Sequence, residues 1–285
     1  MRFIKLLKFD ITNGILRNKF FMISTFALSA LFMIDNFINM NRIREYNVEC
    51  SFGDVLTYIY GGMKNYVSSR EDRFRFPAIW TTLFITQLFG TLNYPYKDLN
   101  SYGKQILIRT NGRMLWWLSK CIWNIIYTLL YHATIWSFCL IYCIAFKYNI
   151  DFSINVKLIA YNFEIPQPEL VENISKLPLY IFLVPVITSI VLCLIEMTLS
   201  LFFKTINSFL IMSCITICSA YLSKSFMIGN YGMIIRCKEI LPDGINFDTA
   251  LPLLCGIMIA TFIIGLVKFK RYDIINSWGE NNAEN

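Results

Sequence analysis

Hydrophobic positions along this chain gather into long blocks separated by short polar stretches. Apolar runs cover residues 20–38, 76–94, 121–146, 177–203, 206–222 and 251–267. A run of about 20 such residues is what a helix needs to cross the hydrocarbon of a bilayer. The pattern therefore predicts an all-α membrane protein with six transmembrane helices. The second run is the most polar, interrupted by Thr81, Thr82, Thr86, Gln87 and Asn93, and the fifth is short.

The stretch before the first run has a periodicity of its own. Ile4, Leu7, Ile11 and Ile15 fall on one helical face, with Arg2, Lys5 and Lys8 elsewhere. This predicts an interfacial amphipathic helix over 1–19, drawn to the anionic inner leaflet. Thr12-Asn13-Gly14 weakens that helix, and a frayed basic tail is the plainer alternative. A cleaved secretory leader is a poor reading, because 19 residues with helical periodicity precede the apolar run. The expected organisation is an interfacial helix (1–19), a six-helix transmembrane domain (20–267) and a cytoplasmic tail (268–285). The link 39–75 contains the aromatic stretch Val55-Leu56-Thr57-Tyr58-Ile59-Tyr60. The link 223–250 carries apolar clusters around Gly229 and Gly232 and is expected to form short helices. Irregular backbone at membrane depth is tolerated only against protein or water.

Composition agrees with the block pattern. Of 285 residues, 56% are hydrophobic and 16% charged, against roughly a quarter charged in soluble domains. Most of the nine cysteines lie within or beside apolar runs, where the thiol behaves as a small hydrophobe. Only Cys50 and Cys237 fall in longer links, and a bridge between them is one open possibility.

Charge sets the expected orientation. With the N-terminus, 95–120, Lys204 and the tail inside, the inner segments hold 14 cations and 5 carboxylates, whereas the opposite links hold 12 of each. The positive-inside bias then puts both termini in the cytoplasm of a multi-pass plasma-membrane protein. Because the cations sit at membrane edges, the net charge of +7 needs no nucleic-acid partner.

Catalytic patterns are scarce. There is no Gly-x-x-x-x-Gly-Lys-Ser/Thr sequence and only one histidine, His132, so neither a phosphate-binding loop nor a paired-histidine metal site is expected. The polar groups inside the runs that are candidates for a cavity or relay are Gln87, His132 and Glu196. For His132 a neutral, hydrogen-bonded packing histidine is the plainer reading, whereas Glu196 is expected to face helix neighbours or a cavity. Asp35, near the end of the first run, is expected to reach headgroups or water.

The segment 98–120 stands apart. It is basic, nearly acid-free and partly apolar, with Lys104, Arg109, Arg113 and Lys120 set against Asp98 alone. It resembles the cytoplasmic loop of the permeases of ABC-2 type ABC transporters, exporters with the ABCG-like (type V) membrane fold. Gly103 matches the family's glycine, Ile106-Leu107 its aliphatic pair, Arg113 its arginine and Lys120 the lysine opening the third span. Thr110 and Gly112 stand where proline and serine are usual. The amphipathic start, six spans with cytoplasmic ends and a folded link before the sixth span are similar as well.

The resemblance implies a permease without ATPase motifs of its own and with no cofactor bound directly. It would pair with a second permease copy or paralogue, sit among membrane lipid and draw on cytosolic ATP-binding cassette subunits that hold the ATP. It also implies that Asp98, Gly103, Lys104, Arg109, Asn111, Arg113 and Lys120 form an ATPase-coupling loop. In that loop Gly103 and the Asn111-Gly112 turn end short helices, and Arg109 and Arg113 meet carboxylates or carbonyls of the ATPase. The expected cargo is hydrophobic or amphipathic: an antimicrobial peptide, a lipid or a drug. The alternative is a non-transporting membrane sensor or assembly partner that docks a cytosolic protein.

Overall fold

The computed structural model describes residues 2–43, 49–66, 74–101, 103–105, 107, 112–165 and 176–272. Among them there are no strands, only two isolated bridge contacts. The helices are α1 (Arg2–Ile11), α2 (Lys19–Ile43), α3 (Phe52–Tyr60), α4 (Ala78–Leu99), α5 (Arg113–Phe146), α6 (Val156–Phe163), α7 (Leu177–Leu199), α8 (Thr205–Tyr221) and α9 (Phe247–Lys270).

Four of these, α2, α5, α7 and α9, are long and apolar enough to cross a membrane. The chain is thus an all-helical protein with the physical character of a membrane protein. On α2 the side chains of Ile23, Phe26, Leu31 and Ile34 are exposed, and on α9 so are Ile259, Ile263 and Ile264. Such faces are stable against lipid or another chain, not water. The helix α4 has the length but carries the polar interruptions noted above, and α8 has 17 residues.

The helix α5 runs for 34 residues, about 50 Å at 1.5 Å per residue, and so extends well beyond the apolar run 121–146. It packs against α1, α2, α7 and α9 and is the axis of the bundle. The segment 98–120 is accordingly less of a loop than the apolar pattern suggests. Asp98 lies in the last turn of α4, and Arg113 to Lys120 form the first two turns of α5.

Within the stretch 1–19 the described residues begin at Arg2 and are mostly helical. After α1 the ladder widens into one π turn over Thr12–Leu16, at the predicted weak point. There Gly14 lies so close to Trp123 and Tyr94 that a Cβ would collide with both rings.

At the opposite end of the bundle, α3 begins with a capping box: Ser51 Oγ accepts from the Asp54 backbone N–H, and Asp54 accepts from the Ser51 N–H. The second Asp54 oxygen accepts from the Asn155 N–H at 2.7 Å, tying α3 to α6. Burial outweighs these hydrogen bonds and pushes the Asp54 carboxyl above its ordinary range. The link before α9 forms two short 3-10 turns, Ile228–Gly232 and Ile234–Arg236, both buried. Arg236 pins them. Its guanidinium donates to the carbonyls of Met63 (3.0 Å), Ser219 (2.7 Å) and Ala220 (2.7 Å), and to Asn230 Oδ1. Burial lowers its pKa to about 10, leaving it charged at neutral pH. Cys50 and Cys237 are both buried free thiols and do not pair.

Candidate functional site: a buried ionic joint

Lys120 is fully buried on α5, as are Asp10 on α1 and, nearly so, Asp98 at the end of α4. The lysine Nζ lies 2.5 Å from Asp10 Oδ1 and 2.7 Å from Asp98 Oδ2. A buried ammonium persists only when paired and hydrogen-bonded, and here two carboxylates from two other helices supply the pairing. Neutral donors share the excess negative charge. Ser119 Oγ donates to Asp10 Oδ2 at 2.5 Å, Tyr94 OH to Asp10 Oδ1 at 2.8 Å, and Trp116 Nε1 to Asp98 Oδ2 at 2.9 Å. The Tyr94 and Trp116 rings also flank the ammonium, at 4.6 and 5.0 Å from their centroids.

Local structure explains this convergence. Ser119 and Lys120 are neighbours on α5, and both reach Asp10 because α1 lies directly across that turn. Gly103 brings the chain after α4 back onto Asp98, where a Cβ would strike its carboxylate and carbonyl. Arg113 opens α5 and donates to the carbonyls of Lys270 (2.6 Å) and Tyr272 (3.0 Å), a cation at the C-terminal end of α9. Trp116 stacks on Phe269 with centroids 4.6 Å apart. The first two turns of α5 are thereby fastened to α1, α4 and α9.

Of the residues singled out from sequence, Asp98, Gly103 and Lys120 come together here, and Arg113 lies on the adjoining contact with α9. Lys104 is half-buried and engaged with a neighbour. Arg109 and Asn111 lie outside the described residues. The residues not anticipated are Asp10, Tyr94, Trp116 and Ser119. Asp10 did carry a signal, as the one carboxylate among the cations of the first helix.

Gln87, His132 and Glu196 belong to a second, wholly buried arrangement deeper in the bundle. His132 bridges Tyr60 OH (2.8 Å to Nδ1) and Ser189 Oγ (2.9 Å to Nε2). Gln87 donates to Thr128 Oγ1 at 3.0 Å, and Thr91 donates to Glu196 Oε2 at 3.2 Å. Lys120, Asn124, Thr128 and His132 recur every four residues on α5, which makes one polar stripe from the ionic joint to Tyr60. No group of three or more His, Cys, Asp or Glu able to hold a metal occurs among the described residues.

These features define a class: an all-helical, membrane-type bundle in which the ends of α1 and α4 are bolted to the axial helix by buried charge. The family model described as "Protein of unknown function (DUF2705)" matches residues 21–275, and the chain belongs to that family. It matches no curated protein and no solved structure.

Proposed function

We propose that this chain is the permease subunit of an ATP-driven exporter. The helices α2, α4, α5, α7, α8 and α9 are its six spans, and both termini are cytoplasmic. In this reading α1 lies on the inner leaflet, and α3, α6 and the 3-10 turns face outward. Cytosolic ATP-binding cassette subunits bind and hydrolyse ATP, a second permease copy or paralogue completes the pathway, and the cargo is hydrophobic or amphipathic. The chain itself carries out no chemistry.

The observation that supports this most is the ionic joint of Lys120 with Asp10 and Asp98. Force applied to the basic segment or to α1 meets a buried charge on the longest helix of the bundle. Low-dielectric pairing makes that link stiff, because separating the partners exposes bare charges to an apolar interior. Movement of α4's end therefore carries α5 with it. In this reading Arg109 meets the ATPase, while Arg113 keeps the end of α9 against α5.

The proposal is tested by co-purification with a cytosolic ATPase and by ATP-dependent export of a peptide antibiotic. Reversing Arg109 to Glu is expected to release the ATPase. Lys120→Met is expected to keep the ATPase bound while export falls. Unchanged association and export in both variants would overturn the proposal. ATPase association without flux in the wild-type protein would assign the chain to the docking role instead.

A further inference from the structure

A cleft of about 670 Å³ opens beside the ionic joint, between α1 with its π turn and the last turn of α4. Lys5, Lys8 and Arg17 approach it from one side and Lys97 from the other, with Thr12 and Ser101 between them. All four cations are exposed, and among the described residues none is paired with a carboxylate. Asp98, the one acidic side chain of the lining, is committed to Lys120 and Trp116. The cleft is therefore strongly positive without an internal counter-ion, and its volume is in the range of ligand sites, about 300–1,000 Å³.

We infer that this cleft is a discrete binding site for the phosphate headgroup of an anionic phospholipid. Charge alone would suit any phosphate. The surroundings choose the lipid. Ile4 is 71% and Leu16 67% exposed within a turn of the cations, and Phe20 and Ile23 of α2 continue the exposed apolar surface. A ligand with an anionic head and acyl chains satisfies the cations and this apolar surface together. A soluble phosphate or an acidic protein segment answers only the first. A bound headgroup would bridge α1 and α4, the two helices that hold Lys120, so occupancy would hold the ionic joint closed. The inference does not depend on an ATPase partner.

The test uses the full chain released from nanodiscs of phosphatidylcholine with phosphatidylglycerol, with retained lipids counted by native mass spectrometry. Wild type is expected to retain phosphatidylglycerol selectively. Each of Lys5→Gln, Lys8→Gln and Lys97→Gln should weaken retention about fivefold, and the three Lys→Arg replacements should restore it. Lys147→Gln and Lys157→Gln, far from the cleft, serve as the charge control and should change nothing. Equal retention in the triple Gln variant, or equal loss in the control, would overturn the inference. Full displacement by millimolar glycerol 3-phosphate would also overturn it, in favour of a soluble phosphate. Loss of a cytosolic partner in the Gln variants with lipid retention unchanged would give the cleft to that partner. Selective lipid loss with ATPase association intact would uphold this site even if the export reading failed.

Discussion

Two buried cations hold the two ends of this bundle together, and they are satisfied in opposite ways. Lys120 meets two carboxylates and is ringed by neutral donors. Arg236 meets no carboxylate among the described residues. Its donors end on carbonyls and one amide oxygen, and two of those carbonyls belong to the last turn of α8, where the helix dipole favours a cation. The planar guanidinium suits such a fan of neutral acceptors, whereas an ammonium in the interior needs opposite charge. The Arg236 arrangement draws on backbone that is already in place and reads as a fixed clamp. The Lys120 arrangement draws on side chains from three separate helices, so it registers any relative movement among them.

The sharpest way to break this comparison is to delete each cation. Lys120→Ala leaves Asp10 and Asp98 buried without a counter-charge, at an expected cost of about 3–5 kcal/mol in denaturant unfolding of the detergent-solubilised protein. Arg236→Ala leaves only neutral acceptors unpaired and should cost less, about 1–3 kcal/mol. Equal losses would show that the two sites do not differ in kind. Replacing the whole joint with the near-isosteric set Asp10→Asn, Asp98→Asn and Lys120→Met should bring stability back to within about 1–2 kcal/mol of wild type, while the export proposed above stays impaired.

The smallest effect concerns Asp54. Its carboxyl titrates above its ordinary value of 3.8 because of burial. The stability associated with its neutral form is thus complete below that ordinary value and is lost as pH rises through the raised one. Wild type should therefore lose more melting temperature than Asp54→Asn as the pH is raised from about 4 to 7. A parallel decline in both proteins would remove Asp54 as the cause.

Much of the architecture was written in the apolar blocks. The runs anticipate the positions of α2, α5, α7 and α9, and the face made by Ile4, Leu7 and Ile11 anticipates α1. What the blocks could not show is where a helix continues past its apolar stretch. Polar and basic residues such as Arg113, Ser119 and Lys120 look like link residues, yet they are helical because α1, α4 and α9 cover them. Lys120 and Asp98 stood out in the sequence as members of one basic segment, not as partners in a buried ion pair. Asp10 did not, because its partner lies 110 positions away and only the tertiary fold brings the two together. In the sequence Arg236 is simply one of the cations of the link 223–250. Its role depends on α8 ending beside the 3-10 turns, which no local pattern announces.

The four-residue spacing of Lys120, Asn124, Thr128 and His132 limits how α5 can move. Lys120, Thr128 and His132 meet partners on α1, α4, α3 and α7, while Asn124 between them is buried with no hydrogen-bond partner among the described residues. Rolling the helix about its own axis by one position (about 100°) would turn Lys120, Thr128 and His132 away from these partners together. Tilting or sliding as a rod keeps most of them engaged. Whatever motion this protein transmits, its central helix is built to swing and not to spin.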